Sequence, residues 1–244
     1  MDSAVKSAGR VLDILELFEA EQRPLRVSEI VAALNLPQSS VSMLVKTMRQ
    51  MGYIDFDPVA RTYRPSVRLA FLGHWAVGPR GTTERINATM RALSEATGES
   101  VLLGRQVGIN MQYLSVIESR QLLRFSLHPG LVRTSFHTGI GIAILSRRPD
   151  DEVRRLVTRY NAERAEGAPS ISEAWVAGEL QRARADGFYQ SHGMMTPGAG
   201  VIAVPLPEAV FGPNLGIGIG APLQRLEARR DALVARLQEA VLAG

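Results

Sequence analysis

The sequence predicts an α+β protein in two parts, a small N-terminal unit of three helices and a hairpin, and a longer unit around a largely antiparallel sheet. Three observations carry that prediction. Apolar residues recur at helical spacing over residues 5–51 and change to a two-residue period over 53–64. The run Gly78-Pro79-Arg80-Gly81 then interrupts the pattern. Beyond it, helical and strand-like segments alternate with turns of hairpin length. With 244 residues, 45% of them apolar and 21% charged, the chain has the composition of an ordinary globular protein.

The elements follow in order. Residues 5–20 place Val11, Leu12, Leu15 and Phe18 on one helical face, and Arg23-Pro24 stops that helix. A second helix starts near Ser28, whose hydroxyl is placed to cap it, with Ile30, Val31 and Leu34 facing inward. Asn35-Leu36-Pro37 is a tight turn. Residues 38–51 form a third helix whose Val41, Leu44, Val45 and Met48 obey the i, i+3, i+4, i+7 rule, closed by Gly52. Two short strands follow, Tyr53 to Asp55 and Thr62 to Arg64, around a turn at Asp57-Pro58 with Arg61 near its tip. A helix with Leu69, Leu72, Trp75 and Ala76 on its apolar side leads to the boundary. In the second unit a helix from Thr83 is closed by Gly98, and ESVLLGRQV and NMQYLSVIE are strands joined at Gly108, the second running on through a turn to LLRFSL. HTGIGIAILS is a small-residue helix, and two charged amphipathic helices follow over 150–164 and 172–186. GVIAVPLP and LGIGIGAP are strands, and one helix over 223–242 closes the chain.

Composition excludes several chemistries. Cysteine is absent, so there is no disulfide framework, thiolate nucleophile or zinc–thiolate site. No uncharged apolar run reaches 18 residues and MDSAVKSAGR has no apolar signal core, so the expectation is a cytoplasmic protein with no membrane partner. The four histidines have no metal-ligand spacing, no GxSxG is present, and Ser135 with His137 makes no triad. GIGIGA at 216–221 lacks the full dinucleotide fingerprint and sits in a strand, where close packing explains it better. Neither an enzyme nor a cofactor is expected.

The formal charge of +4 is modest but unevenly spread: residues 22–51 carry Arg23, Arg26, Lys46 and Arg49 against Glu29 alone. In the third helix, "LPQSSVSMLVKTM", the face opposite the apolar stripe presents Ser39, Met43, Lys46 and Gln50, flanked by Ser40, Ser42, Thr47 and Arg49, and it holds no acid. One hydroxyl near Ser39 or Ser40 is enough to cap the helix. Short polar side chains at the front of a helix let it approach base edges and phosphates closely. Three helices plus a hairpin is the winged helix-turn-helix pattern, which binds double-stranded DNA through Arg26, Gln38, Ser39, Ser40, Ser42, Met43, Lys46, Arg49 and the wing's Arg61.

The segments "SAGRVLDILELF", "VSEIVAALNLPQSSVSMLVKTMRQMGYI", "YRPSVRLAFLG", "ATGESVLLG", "FHTGIGIAILS" and "PGAGVIAVPLP", in that order, resemble the IclR family of bacterial transcriptional regulators over nearly the whole chain. The resemblance implies a winged-helix domain (1–65), a linker helix used in dimerisation (66–80) and an effector-binding domain resembling GAF and PAS folds (81–244). It also implies repressors or activators acting as homodimers, or dimers of dimers, on inverted-repeat operators. Gln38 and Met43 stand where relatives often carry basic residues. Fewer phosphate contacts follow, and each one fewer lowers the salt slope by roughly one unit.

The same resemblance implies an effector pocket formed by Leu122, Phe125 and Arg133, by Phe136, Thr138, Gly139 and Ile140 with the helix-start amides, and by Ser191, Met194, Val201, Gly218 and Gly220, and the neighbouring His137 is added to it as a candidate anchor. Against the family pattern this set is more apolar, roomier at its glycines, and carries Arg133 where an apolar residue is common. The expected effector is a small organic acid, an aromatic carboxylate anchored by Arg133 or His137, and the expected target a catabolic operon. Arg133 pointing into solvent from HPGLVRTS is the plain alternative. A DNA-binding protein without any ligand is another; the length of the second unit argues against it.

Overall fold

The structure is a computed structural model that describes residues 5–74, 81–124 and 126–243. The chain divides into two compact units, 1–77 and 78–244. Among the described residues no helix is long and apolar enough to cross a membrane.

The first unit contains α1 (Lys6–Glu21), α2 (Val27–Leu34), α3 (Gln38–Gln50), β1 (Ile54–Asp57), β2 (Thr62–Pro65) and α4 (Val67–His74). Its core is Ile14, Phe18, Leu25, Ile30, Val41, Val45, Met48 and Ile54. The α3 stripe is therefore where helical periodicity places it. In α1, however, Ile14 takes the buried position and Leu12 is 59% exposed. Two caps also differ from expectation. Ser28 lies inside the first turn of α2, and the Glu29 carboxylate instead accepts the Arg26 backbone N–H at 2.7 Å. In α3 the capping position is Pro37, which has no side-chain acceptor, so neither Ser39 nor Ser40 caps the helix. The α2–α3 turn passes through Asn35 at φ +50°, a left-handed conformation asparagine tolerates. Strands β1 and β2 pair antiparallel, and at their turn Asp57 Oδ1 accepts the N–H groups of Val59 and Ala60. Reciprocal backbone bonds between Leu25 and Tyr63, at 2.9 and 2.7 Å, tie this wing to the segment before α2. Helix α4 groups with this unit; Trp75 and Ala76 lie outside the described residues.

The second unit contains α5 (Thr82–Thr97), β3 (Ser100–Val107), β4 (Asn110–Ile117), β5 (Val132–Thr134), a 3₁₀ turn (Ser135–His137), α6 (Gly139–Leu145), α7 (Asp150–Glu163) and α8 (Glu173–Asp186). It continues with β6 (Tyr189–His192), β7 (Ala199–Pro205), α9 (Glu208–Phe211), β8 (Leu215–Pro222), α10 (Leu223–Ala228) and α11 (Arg230–Ala243). The sheet order is β5-β4-β3-β8-β7-β6, antiparallel throughout. Alternation splits its side chains between two cores. Leu102, Met111, Tyr113 and Ala203 pack with α6, α7 and α8, while Val101, Leu103, Ile202, Val204, Ile217 and Ile219 pack with α5 and α11. Helix α6 lies close on the sheet because glycines face it: a Cβ on Gly216 would stand 2.9 Å from Ile140 Cγ2. Close packing thus accounts for GIGIGA.

Three elements depart from the sequence reading. The described residues of LLRFSL, 122–124 and 126–127, lie in no helix or strand, and the strand pairing with β4 comes later, at Val132–Thr134. Ser191 lies in an edge strand, β6, in a stretch where the sequence reading places no element. The closing helix is broken at Arg229. Arg225 on its first half grips the fully buried Glu99 through two bonds of 2.9 and 2.8 Å, and Arg229 donates to the Thr97 carbonyl at 3.1 Å. Such a pair joins the start of β3 to α10, since an unpartnered buried carboxylate is strongly unfavourable.

Candidate nucleic-acid interface and candidate ligand cavity

On α3 the apolar stripe turns inward, and Gln38, Ser39, Ser42, Met43, Lys46, Thr47, Arg49 and Gln50 are exposed on the other side. No acidic side chain belongs to this helix. Several of these groups already have local partners. Ser40 is half-buried and accepts a long bond of 3.5 Å from Arg10, so it does not stand on the free face. Thr47 Oγ1 donates to the Met43 carbonyl at 3.0 Å. The Arg49 guanidinium lies 5.0 Å from the Phe56 ring centroid, a cation–π contact joining the end of α3 to the wing. Arg26 is exposed at the start of α2. Arg61, also exposed, occupies the wing turn at φ +55°. One helix thus brings Gln38, Ser39, Ser42, Met43 and Lys46 together; Arg26 and Arg61 come from separate elements.

In the second unit a cavity of about 70 Å³ opens between the sheet and the start of α6. Of the residues expected there, Arg133, His137, Thr138, Gly139, Ser191, Met194, Val201 and Gly220 line it. The others do not. Leu122 is fully exposed. Phe136 is buried in the core, edge-on to Tyr160 at 5.8 Å, and Ile140 is buried over Gly104 and Gly216. Gly218 offers no room, since a Cβ there would stand 2.7 Å from Val201 Cγ1. Phe125 lies outside the described residues. Sequence reading missed Ser100, Leu102 and Tyr113 on the sheet, Leu127, and Met195, Thr196, Ala199 and Gly200 around the β6–β7 turn. The alternation in NMQYLSVIE holds a signal for Tyr113, which shares an inward face with Met111.

Arg133 sits on β5 opposite Met111, and that register turns it toward the face carrying Met111 and Tyr113. Its Nε is buried with no hydrogen-bond partner among the described residues. The solvent-pointing alternative is thereby corrected: the strand pairing, invisible in HPGLVRTS, turns the side chain in. Burial pushes the Tyr113 phenol up, with Arg133 opposing, so the hydroxyl stays protonated and available as a donor. Burial pushes His137 down from 6.5, which leaves its imidazole neutral at pH 7. Among the described residues no Asp, Glu or Lys lines the cavity, so Arg133 is the full positive charge there. Other polar groups are committed. Ser191 Oγ accepts the Val201 N–H at 3.0 Å, and Thr138 Oγ1 accepts the Gly141 N–H at 3.1 Å, which removes one of the helix-start amides expected to face a ligand. Among the described residues no group of three His, Asp or Glu side chains is placed to hold a metal.

Comparison with known proteins agrees with both units. Residues 7–58 match the IclR helix-turn-helix domain, and residues 76–243 match the bacterial transcriptional regulator IclR C-terminal domain. The HTH-type transcriptional regulator BhcR of Paracoccus denitrificans is 27% identical over 98% of this chain and 84% of its own length. The HTH-type transcriptional regulator XynR of Escherichia coli is 26% identical over 83% of this chain and 80% of its own. The crystal structure of an IclR transcriptional regulator from Alicyclobacillus acidocaldarius has the same fold, with a TM-score of 0.69 at 18% identity, covering 98% of this chain and 97% of that one. These relatives are regulators rather than enzymes. A winged helix with a basic, acid-free outer face, joined to this C-terminal domain, identifies the chain as a member of the IclR family of DNA-binding transcriptional regulators.

Proposed function

We propose that this regulator binds a two-fold-symmetric operator as a homodimer or dimer of dimers, and that a small organic acid in the C-terminal cavity controls the binding. One observation carries the reading: a buried Arg133 Nε, unpartnered among the described residues, in a cavity whose described lining holds no acid. A buried donor without a partner carries a desolvation cost of about 1–3 kcal/mol that a carboxylate would remove. The guanidinium fork matches a carboxylate in both charge and shape. Tyr113 and the neutral His137 are two further groups able to donate to it. The aromatic acid expected from the sequence asks for more room than the cavity has, about 70 Å³. An engineered cavity that admits benzene measures about 150 Å³. The better fit is an acid of a few carbons, with Met194, Leu102 and Val201 against its chain. The genes under control are then those that break that acid down.

Calorimetric titration with short aliphatic acids and with benzoates tests this. Binding of a short acid that is abolished in Arg133→Ala and partly kept in Arg133→Lys is the expected result. Tight benzoate binding would overturn the assigned size, and unchanged binding in Arg133→Ala would overturn the anchor.

A further inference from the structure

We infer that Met43 reads a thymine, through apolar contact with the 5-methyl group in the major groove. Met43 is 67% exposed on the outer face of α3, among Ser39, Ser42 and Lys46. A large apolar side chain there does nothing for the core, which Val41, Val45 and Met48 fill from the opposite side. It stands in the N-terminal half of α3, one turn on from Ser39, the part of a recognition helix whose residues contact base edges. Its neighbours strengthen the assignment. The arginine of this helix, Arg49, is drawn to the Phe56 ring, and the Thr47 hydroxyl is turned onto the Met43 carbonyl. Guanine is most often read by arginine or lysine; Lys46 is the cation of this face that serves that role, and the position one turn from Ser39 offers only the apolar side chain of Met43. Of the groups a base pair presents in the major groove, the thymine methyl is the apolar one. Methionine's unbranched, polarizable side chain adapts to it without the rotamer restriction of a branched residue.

The test uses the full-length protein and DNA duplexes selected from a random pool. Each thymine common to the selected sequences is replaced by deoxyuridine, which removes the 5-methyl and leaves base pairing intact. The methyl contact predicts one such position per half-site where the replacement weakens binding about three- to tenfold, the worth of burying one methyl. In Met43→Ala that penalty vanishes, while Met43→Leu keeps most of it. Because the residue is exposed, both variants keep the thermal midpoint of the wild type, which separates an effect on base reading from an effect on folding. Selected sequences without a common thymine, or deoxyuridine penalties that persist unchanged in Met43→Ala, would overturn the inference.

Discussion

At the scale of single residues, His137 gives the cavity a pH dependence whose sign follows from its burial. Its folded-state pKa is lowered from 6.5 by desolvation. Well above pH 6.5 the imidazole is neutral in both folded and unfolded chains and contributes no slope. Below that value the unfolded chain takes up a proton that the folded chain resists, so stability falls with pH until the folded pKa is passed. Denaturant midpoints between about pH 7.5 and 5 are expected to fall more steeply for the wild type than for His137→Gln; parallel curves would remove His137 as the cause. Met43 and Arg133 share a different property. Each is a residue of the wrong polarity for its surroundings, one apolar on a polar face and one charged beneath a sheet, and in the roles proposed for them each meets a partner outside the chain.

Among the elements, α6 depends most on small residues. A Cβ on Gly141 would overlap the Ser135 carbonyl oxygen and stand 2.5 Å from Thr138 Oγ1. That clash is with backbone, which cannot move aside without undoing the 3₁₀ turn that precedes the helix. Gly141→Ala is therefore expected to destabilise the second unit by about 3 kcal/mol, at the upper end for overpacking. Gly178→Ala, in α8 with nothing near its Cβ, serves as the control. Thermal unfolding of the two variants measures the difference, and equal midpoints would show that α6 can shift on the sheet. In α3 and the wing, the Arg49–Phe56 contact fixes the end of the recognition helix against β1. The hairpin thus supports the helix as well as carrying Arg61.

For the whole molecule, control of DNA by an acid requires that the acid prefer one of two states differing in DNA affinity. Linkage then makes the effect reciprocal: the factor by which the acid changes operator affinity equals the factor by which operator DNA changes acid affinity. Titrations in both directions are expected to return the same factor, within about 5–150-fold. A factor of one in either direction would reduce the second unit to a role other than sensing.

Much of the fold was legible in the chain alone, and the reasons are local. Val41, Leu44, Val45 and Met48 announce α3 because contacts three and four residues apart decide which side of a helix is apolar. Gly98 and Gly108 mark turns because both adopt positive φ, at +73° and +58°. Half of the cavity was not legible. Its walls run from Ser100 to Gly220 and meet only because β3 pairs with both β4 and β8. A strand shifted by one residue turns every side chain over, and the register changes between Leu103 and Gly104. Counting along NMQYLSVIE could not reveal that shift, nor could HPGLVRTS reveal that Arg133 pairs with Met111. The two-part order and the polar, acid-free face of α3 were readable without coordinates because they rest on short-range period and composition, and the family because its motifs stand in order along the chain. Which side chains surround the cavity, and which way Arg133 points, depended on the folded sheet, because its register is set by residues far apart in the chain, as where Ser100 meets Gly220.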